Sequence, residues 1–144
     1  MKFNNPFNEI INKEKHTFSI CDIDSIYKKD YDGKTRFCII EVKNNNEKIS
    51  KSQFKTLKTL NESICWKEFD NESGVYIARL MSTCADIENK KDKRFIQISR
   101  IEEMTNFSFI SLNQFILWIN AEKTLNELDP GLIKHNFSEN KETL

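Results

Sequence analysis

Hydrophobic and polar residues change their period several times along this chain, and each change predicts an element. From Thr17 to Tyr27 they alternate and are rich in Phe, Ile and Tyr, and from Arg36 to Lys43 they do so again. Period-two alternation predicts two strands, each with one face in a core. Between them, KKDYDGKT carries Asp32-Gly33, a type I′ turn signal because both central residues need positive φ. The prediction is a β-hairpin. Past a polar NNNEKI stretch the period becomes helical: SKSQFKTLKTLNESI places Phe54, Leu57, Leu60 and Ile64 on one face and Lys51, Lys55 and Lys58 on another. Ser50 with Gln53 three residues on predicts a capping box, in which the two side chains satisfy each other's orphan backbone donors.

Further on, VYIARLMS and FIQISRI read as strands separated by the charged NKKDKR, and FSFI reads as a short one. Ser111 opens SLNQFILWINAEKTL, a predicted helix with Leu112, Phe115, Ile116 and Ile119 inward and Pro130-Gly131 just beyond its end. At the other end, NPFNEIINKEK predicts a short amphipathic helix on Phe7, Ile10 and Ile11, with Asn5 or Asn8 as its cap. The order helix, hairpin, helix, strands, helix predicts one mixed α/β (α+β) domain over residues 1–133, followed by a polar tail, 134–144. Its core is expected to be a small mixed β-sheet with a central antiparallel hairpin, flanked by helices.

Composition narrows the picture. At 144 residues, 38% hydrophobic and 31% charged, the chain suits a single soluble domain, and no apolar run approaches the roughly 18 residues of a membrane span. The start, MKFNNPFNEIINKEK, has no apolar core or small-residue cleavage site, so a cytoplasmic location without membrane contact is expected. Cys21, Cys38, Cys65 and Cys84 are far apart and form no C-x-x-C. They read as small buried hydrophobes, neither a zinc ribbon nor a disulfide framework. With 22 basic and 22 acidic residues the formal net charge is zero, so any contact with nucleic acid rests on local patches.

The hairpin is where the chemistry collects. Alternation puts Phe18, Ile20, Asp22, Asp24 and Ile26 on one face of the first strand and Phe37, Ile39, Glu41 and Lys43 on one face of the second. A two-residue loop at Asp32-Gly33 makes paired residue numbers sum to 65, which sets Asp24 opposite Glu41 and Asp22 opposite Lys43. Two opposed carboxylates on a partly buried face repel unless a cation lies between them. A divalent ion resolves that conflict, since Mg²⁺ takes one or two carboxylates together with waters and phosphate oxygens. Lys43 stands beside the pair, suited to orient or deprotonate an attacking water or to stabilise charge on a phosphate.

An Asp on one hairpin strand, Glu-x-Lys on the next and a helix that opens with a Gln resemble the PD-(D/E)XK, or restriction-endonuclease-like, nuclease superfamily over about residues 9–80. The resemblance matches Asp24 to the Asp of the motif, Glu41 and Lys43 to its (D/E)XK, and Gln53 to a helix Gln found in several branches. Glu9 or Glu14 stands where some members contribute an acidic residue from the first helix, and Ile23 occupies the place of the motif's Pro. What the resemblance implies is a hairpin in a small mixed sheet between helices and an Mg²⁺- or Mn²⁺-dependent deoxyribonuclease. Such an endonuclease hydrolyses DNA phosphodiester bonds in restriction, repair, recombination or mobile-element processing. Asp24 and Glu41 would be its metal ligands, with Asp22 competing as ligand if a bulge at the turn shifts the pairing by one, and Lys43 its water-positioning residue. Lys51, Lys55 and Lys58 are candidate phosphate contacts, and a homodimer cutting both strands is compatible with the reading.

Other readings compete. Glu41 and Lys43 also suit a solvated strand face paired with Asp22, Gln53 a plain helix cap, and Trp66 and Trp118 core anchors. Asp22-Ile23-Asp24 spells the D-x-D of glycosyltransferases, for whose nucleotide-binding domain the chain is too short. His16 and His135 have no Cys or Ser partner, so nucleophilic catalysis has no support. A catalytically silent module that binds nucleic acid or protein through the same fold is the main alternative to a nuclease.

Overall fold

Asp32 (φ 43°) and Gly33 (φ 76°) are consecutive residues in the left-handed region, and they close a hairpin between β1 (Ser25–Tyr31) and β2 (Lys34–Asn44). The computed structural model describes residues 25–81 and 91–131 and the backbone of 133–134; the expected N-terminal helix, the early part of the first strand and most of the polar tail lie outside them. Pairing numbers sum to 65 from Tyr31↔Lys34 to Ser25↔Ile40, as the turn predicts. Both strands run up to the turn, farther than the alternation extends. A type I′ loop matches strand twist, so Lys28, Lys29 and Asp30 stay paired although exposed.

From β2 the chain enters α1 (Lys51–Ser63), which crosses to β3 (Gly74–Leu80) by way of a 3-10 turn at Trp66–Glu68. β3 lies parallel to β2, a pairing that requires such a crossover. Then β4 (Arg94–Arg100) and β5 (Asn106–Ser111) continue the sheet antiparallel, α2 (Leu112–Ile119) and α3 (Leu125–Leu128) follow, and β6 (Ile133–Lys134) pairs with β5. The fold is mixed α/β, with sheet order β1-β2-β3-β4-β5-β6. Among the described strands the hairpin lies at one side of this sheet and not at its centre, because the parallel return adds β3 to the open side of β2 and every later strand extends away from β1. The two residues of β6 carry sheet pairing across the expected start of the tail at Lys134. No helix among the described residues is long and apolar enough to cross a membrane.

Helices cover both faces. On one, Leu57 of α1, with Phe54, Leu60 and Ile64, packs on Ile39, Val75, Ile77 and Ile101, and Trp66 joins the rim. On the other, Phe115 and Trp118 of α2 and Leu128 of α3 pack on Cys38, Ile40, Tyr76, Ile98 and Ile110. β2 is therefore buried on both sides from Arg36 to Lys43 apart from its partly covered positions Phe37 and Val42, the pattern of an interior strand.

Three expectations need correction. The last long helix divides: Asn120 caps α2, Ala121 turns left-handed (φ 62°), and Thr124 with Glu127 forms a capping box that starts α3 afresh. Its inward face is Phe115 and Trp118, with Leu112 and Ile119 partly buried against the same core as expected, while Ile116 is 43% exposed because the larger Trp118 takes its place on the stripe. Cys65 is exposed; it stands at the bend after α1, where Ile64 and Trp66 take the core positions. Cys38 is buried as expected, and burial pushes its thiol up to about 12. Cys21 and Cys84 lie outside the described residues.

Candidate functional site

Phe37, Ile39, Glu41 and Lys43 occupy alternate positions on the α1 face of β2, so the row is apolar where it begins and charged where it ends. Neither charge is solvated: Glu41 is 3% and Lys43 9% exposed. Burying ions is expensive unless they are paired and hydrogen-bonded. Here Lys43 Nζ lies 3.5 Å from Glu41 Oε1, and Gln53 Nε2 donates to the same oxygen at 2.7 Å. The reading of these residues as a solvated strand face therefore does not hold.

Gln53 reaches Glu41 because of how α1 begins. Ser50 is the N-cap, and its Oγ accepts the Gln53 N–H at 3.0 Å. That half of the expected capping box is present. The other half is not, because the Gln53 side chain turns to the buried carboxylate and not back to the Ser50 backbone. The cap fixes the first turn of α1 over the end of β2, which is what brings a residue of the helix within reach of a residue of the strand.

Of the other expected site residues, Asp24, Asp22, Glu9 and Glu14 lie outside the described residues; the hairpin register is described as far as Ser25↔Ile40, one pair short of Asp24 and Glu41. Lys51, Lys55 and Lys58 are exposed along α1. Among the described residues no three Asp, Glu, His or Cys side chains gather as a metal site. A hard divalent cation binds carboxylate oxygens, and Glu41 is a donor of that kind, so the described residues fit one ligand of the expected pair.

Arg79 belongs to the same neighbourhood and was not singled out by the sequence. It pairs with Lys43 across β2 and β3, and its Nη1 donates to the carbonyls of Asn44 (3.3 Å), Asn45 (3.4 Å) and Glu47. A signal for it existed: Val75, Ile77 and Arg79 alternate along VYIARLMS as Phe37, Ile39 and Glu41 do along β2, with a charge again ending an apolar row. No known family model, curated protein or solved structure significantly matches the chain.

Proposed function

We propose that the protein is an Mg²⁺- or Mn²⁺-dependent nuclease that hydrolyses DNA phosphodiester bonds, with a restriction-endonuclease-like fold of the PD-(D/E)XK kind. One observation carries the reading: Glu41 and Lys43 are buried side by side at the end of an otherwise apolar strand face, with Gln53 of the next helix bonded to Glu41. Apolar residues of similar size at such positions are often neutral or stabilising, so stability alone does not account for the charges. Support also comes from the surroundings, a hairpin whose second strand carries Glu-x-Lys and then leads through a helix to a parallel strand.

In this proposal Asp24 and Glu41 hold the metal, which when bound supplies Lewis-acid stabilisation of charge on the phosphate. Gln53 fixes the orientation of the Glu41 carboxylate. Lys43 orients the attacking water and stabilises the negative charge that develops in the transition state, a role that a preformed cation in a dry site performs well. Lys51, Lys55 and Lys58 contact flanking phosphates, so neutralising them weakens DNA binding and flattens its salt dependence.

A second reading, a catalytically silent binding module, is favoured by one detail. Lys43 and Gln53 converge on the same oxygen of Glu41, an arrangement that holds together without a metal. Incubation with single-stranded, duplex, flapped and branched DNA in Mg²⁺, Mn²⁺ or EDTA separates the two. The nuclease cuts at least one substrate in either metal and none in EDTA. Metal also stabilises it by RT ln(1 + [L]/Kd), read as a raised melting temperature that Glu41→Gln removes. No cleavage and a constant melting temperature would leave the binding module.

A further inference from the structure

We infer that Arg79 is a positioning residue for the Glu41, Lys43 and Gln53 cluster, holding the connection from β2 to α1 in the one shape that lets both of its ends meet on Glu41. Its catalytic meaning rests on the nuclease reading above; its geometry does not.

Lys43 precedes that connection and Gln53 follows it, so the path between them decides whether an ammonium on the strand and an amide on the helix reach one carboxylate oxygen. Beyond Asn44, which ends β2 opposite Leu80, the path has little to anchor it. Residues 44 to 48 are exposed, and Ile49 is the first buried residue after Lys43. Within it, Glu47 N–H donates to Asn44 O at 3.0 Å and Glu47 Oε1 accepts the Asn44 N–H at 3.0 Å. These bonds shape the turn and hang it from Asn44, the last residue of β2. Arg79 supplies an attachment: from β3, in register with Lys43, Nη1 reaches the carbonyls of Asn44, Asn45 and Glu47. A cation facing three carbonyl oxygens also offsets their mutual repulsion, and its own stem is fixed by an interior strand. Catalytic geometry tolerates only about 0.5 Å of slack, and an exposed turn does not hold that without such a tie.

The test uses a reporter independent of activity, the side-chain amide resonances of Gln53 in the ¹⁵N-labelled protein. In wild type they are shifted by the bond to Glu41. In Arg79→Met they move toward the values of a solvated glutamine, while the backbone amide resonances of Tyr76 and Phe115, packed against Trp118, stay in place. Arg79→Lys, which keeps a cation with three donors, retains the wild-type resonances. On a DNA substrate that the wild type cuts, Arg79→Met lowers kcat by about a hundredfold, the effect of a ~1 Å misplacement, with KM and salt dependence unchanged. A raised KM with a flattened salt dependence would make Arg79 a phosphate contact and overturn the inference. Unmoved Gln53 resonances in Arg79→Met overturn it whether or not the protein cuts DNA. Moved resonances in a protein that cuts nothing sustain the tie and remove the nuclease reading instead. If Arg79→Met does not fold, Arg79→Gln takes its place with the same outcomes.

Discussion

β2 buries an ion pair at each end, and the two differ in what they connect. At its start Arg36 Nε meets Asp70 Oδ2 at 2.8 Å, with the side chains 5% and 6% exposed. Asp70 also accepts the Tyr31 hydroxyl (2.6 Å), the Ser73 hydroxyl (3.0 Å) and the Glu72 N–H (3.0 Å). Arg36 goes on to the carbonyls of Trp118, in the last turn of α2, and Lys123, in the turn that follows it. The planar fork of an arginine suits such a junction, and the cluster joins the hairpin, the approach to β3 and the far helix. At the other end, Glu41 pairs with Lys43, two residues along the same strand. That pair lies within one strand, and the Gln53 amide ties it to the neighbouring α1. A buried pair that links distant elements has an architectural reason to exist. One between strand neighbours, tied to a single adjacent helix turn, has a weaker one, and this difference is the physical ground for seeking a function at Glu41.

The sharpest way to break the comparison is to remove one partner at the architectural end. Arg36→Met leaves Asp70 buried without its cation and is expected to cost about 3–5 kcal/mol in urea unfolding. The same cluster makes part of the fold's stability depend on acid. Burial pushes the Asp70 carboxyl up, but hydrogen bonds from Tyr31, Arg36 and Ser73 and the charge of Arg36 outweigh it and hold the group below its usual range. The folded state therefore holds that proton less tightly than the unfolded chain. Its contribution to stability is complete above about pH 4, the ordinary value of an aspartate, and is lost as pH falls through the lower folded value. Wild type should lose this increment in acid while Asp70→Asn, which has none to lose, should not; parallel acid limbs for the two would show that the cluster does not stabilise the ionised form.

At the other end the forecast is a smaller loss. Replacing both partners, Glu41→Leu with Lys43→Met, also forfeits the Gln53 bond and should still cost less than Arg36→Met, since exchanging a buried pair for apolar residues is itself often neutral or stabilising, while abolishing cleavage. Lys43→Ala alone should lower kcat about 10²–10³-fold, the usual loss on removing one transition-state charge donor, with DNA affinity nearly intact. Calorimetry of the double variant decides first. A loss as large as that of Arg36→Met would make the Glu41 pair architectural too, and wild-type cleavage by Lys43→Ala would end its catalytic assignment.

Much of this was legible in the sequence, and the rest was hidden for identifiable reasons. The hairpin register followed from Asp32-Gly33, and the buried stripe of α1 from Phe54, Leu57, Leu60 and Ile64, because both are local. The position of the hairpin within the sheet was not legible, since strand order depends on pairings between distant segments that periodicity does not encode. Arg36 looked like the edge of a strand, and nothing local ties it to Asp70, 34 residues away. Ile26 shows a limit of alternation itself: it lies on the face where the pattern puts a core residue, opposite Ile39, yet it is 57% exposed. Period tells which face a residue shares, not whether that face is covered at its strand.

The smallest effect makes the finest distinction, because the chain carries the same cap twice. Ser50 with Gln53 opens α1, and Ser111 with Gln114 opens α2. Gln114 closes its box: Oε1 accepts the Ser111 N–H at 2.9 Å and Nε2 donates to Leu128 O at 3.2 Å. Gln53 leaves its box half made and bonds Glu41. The motif is identical, and the buried carboxylate within reach is what differs. Gln114→Ala should therefore cost about 1 kcal/mol of stability, as for a neutral bond or a cap, and leave cleavage by the folded fraction unchanged. Gln53→Ala removes a bond to a charged group, worth about 1.5–3 kcal/mol, and should also lower single-turnover cleavage roughly tenfold through the looser Glu41, since a tenfold change needs only about 1.4 kcal/mol of transition-state stabilisation. Denaturant titration and single-turnover kinetics on the same two variants read both quantities. If the pair loses equal stability and neither changes the rate, then Gln53 is a cap whose side chain found a convenient neighbour, and the site shrinks to Glu41 and Lys43.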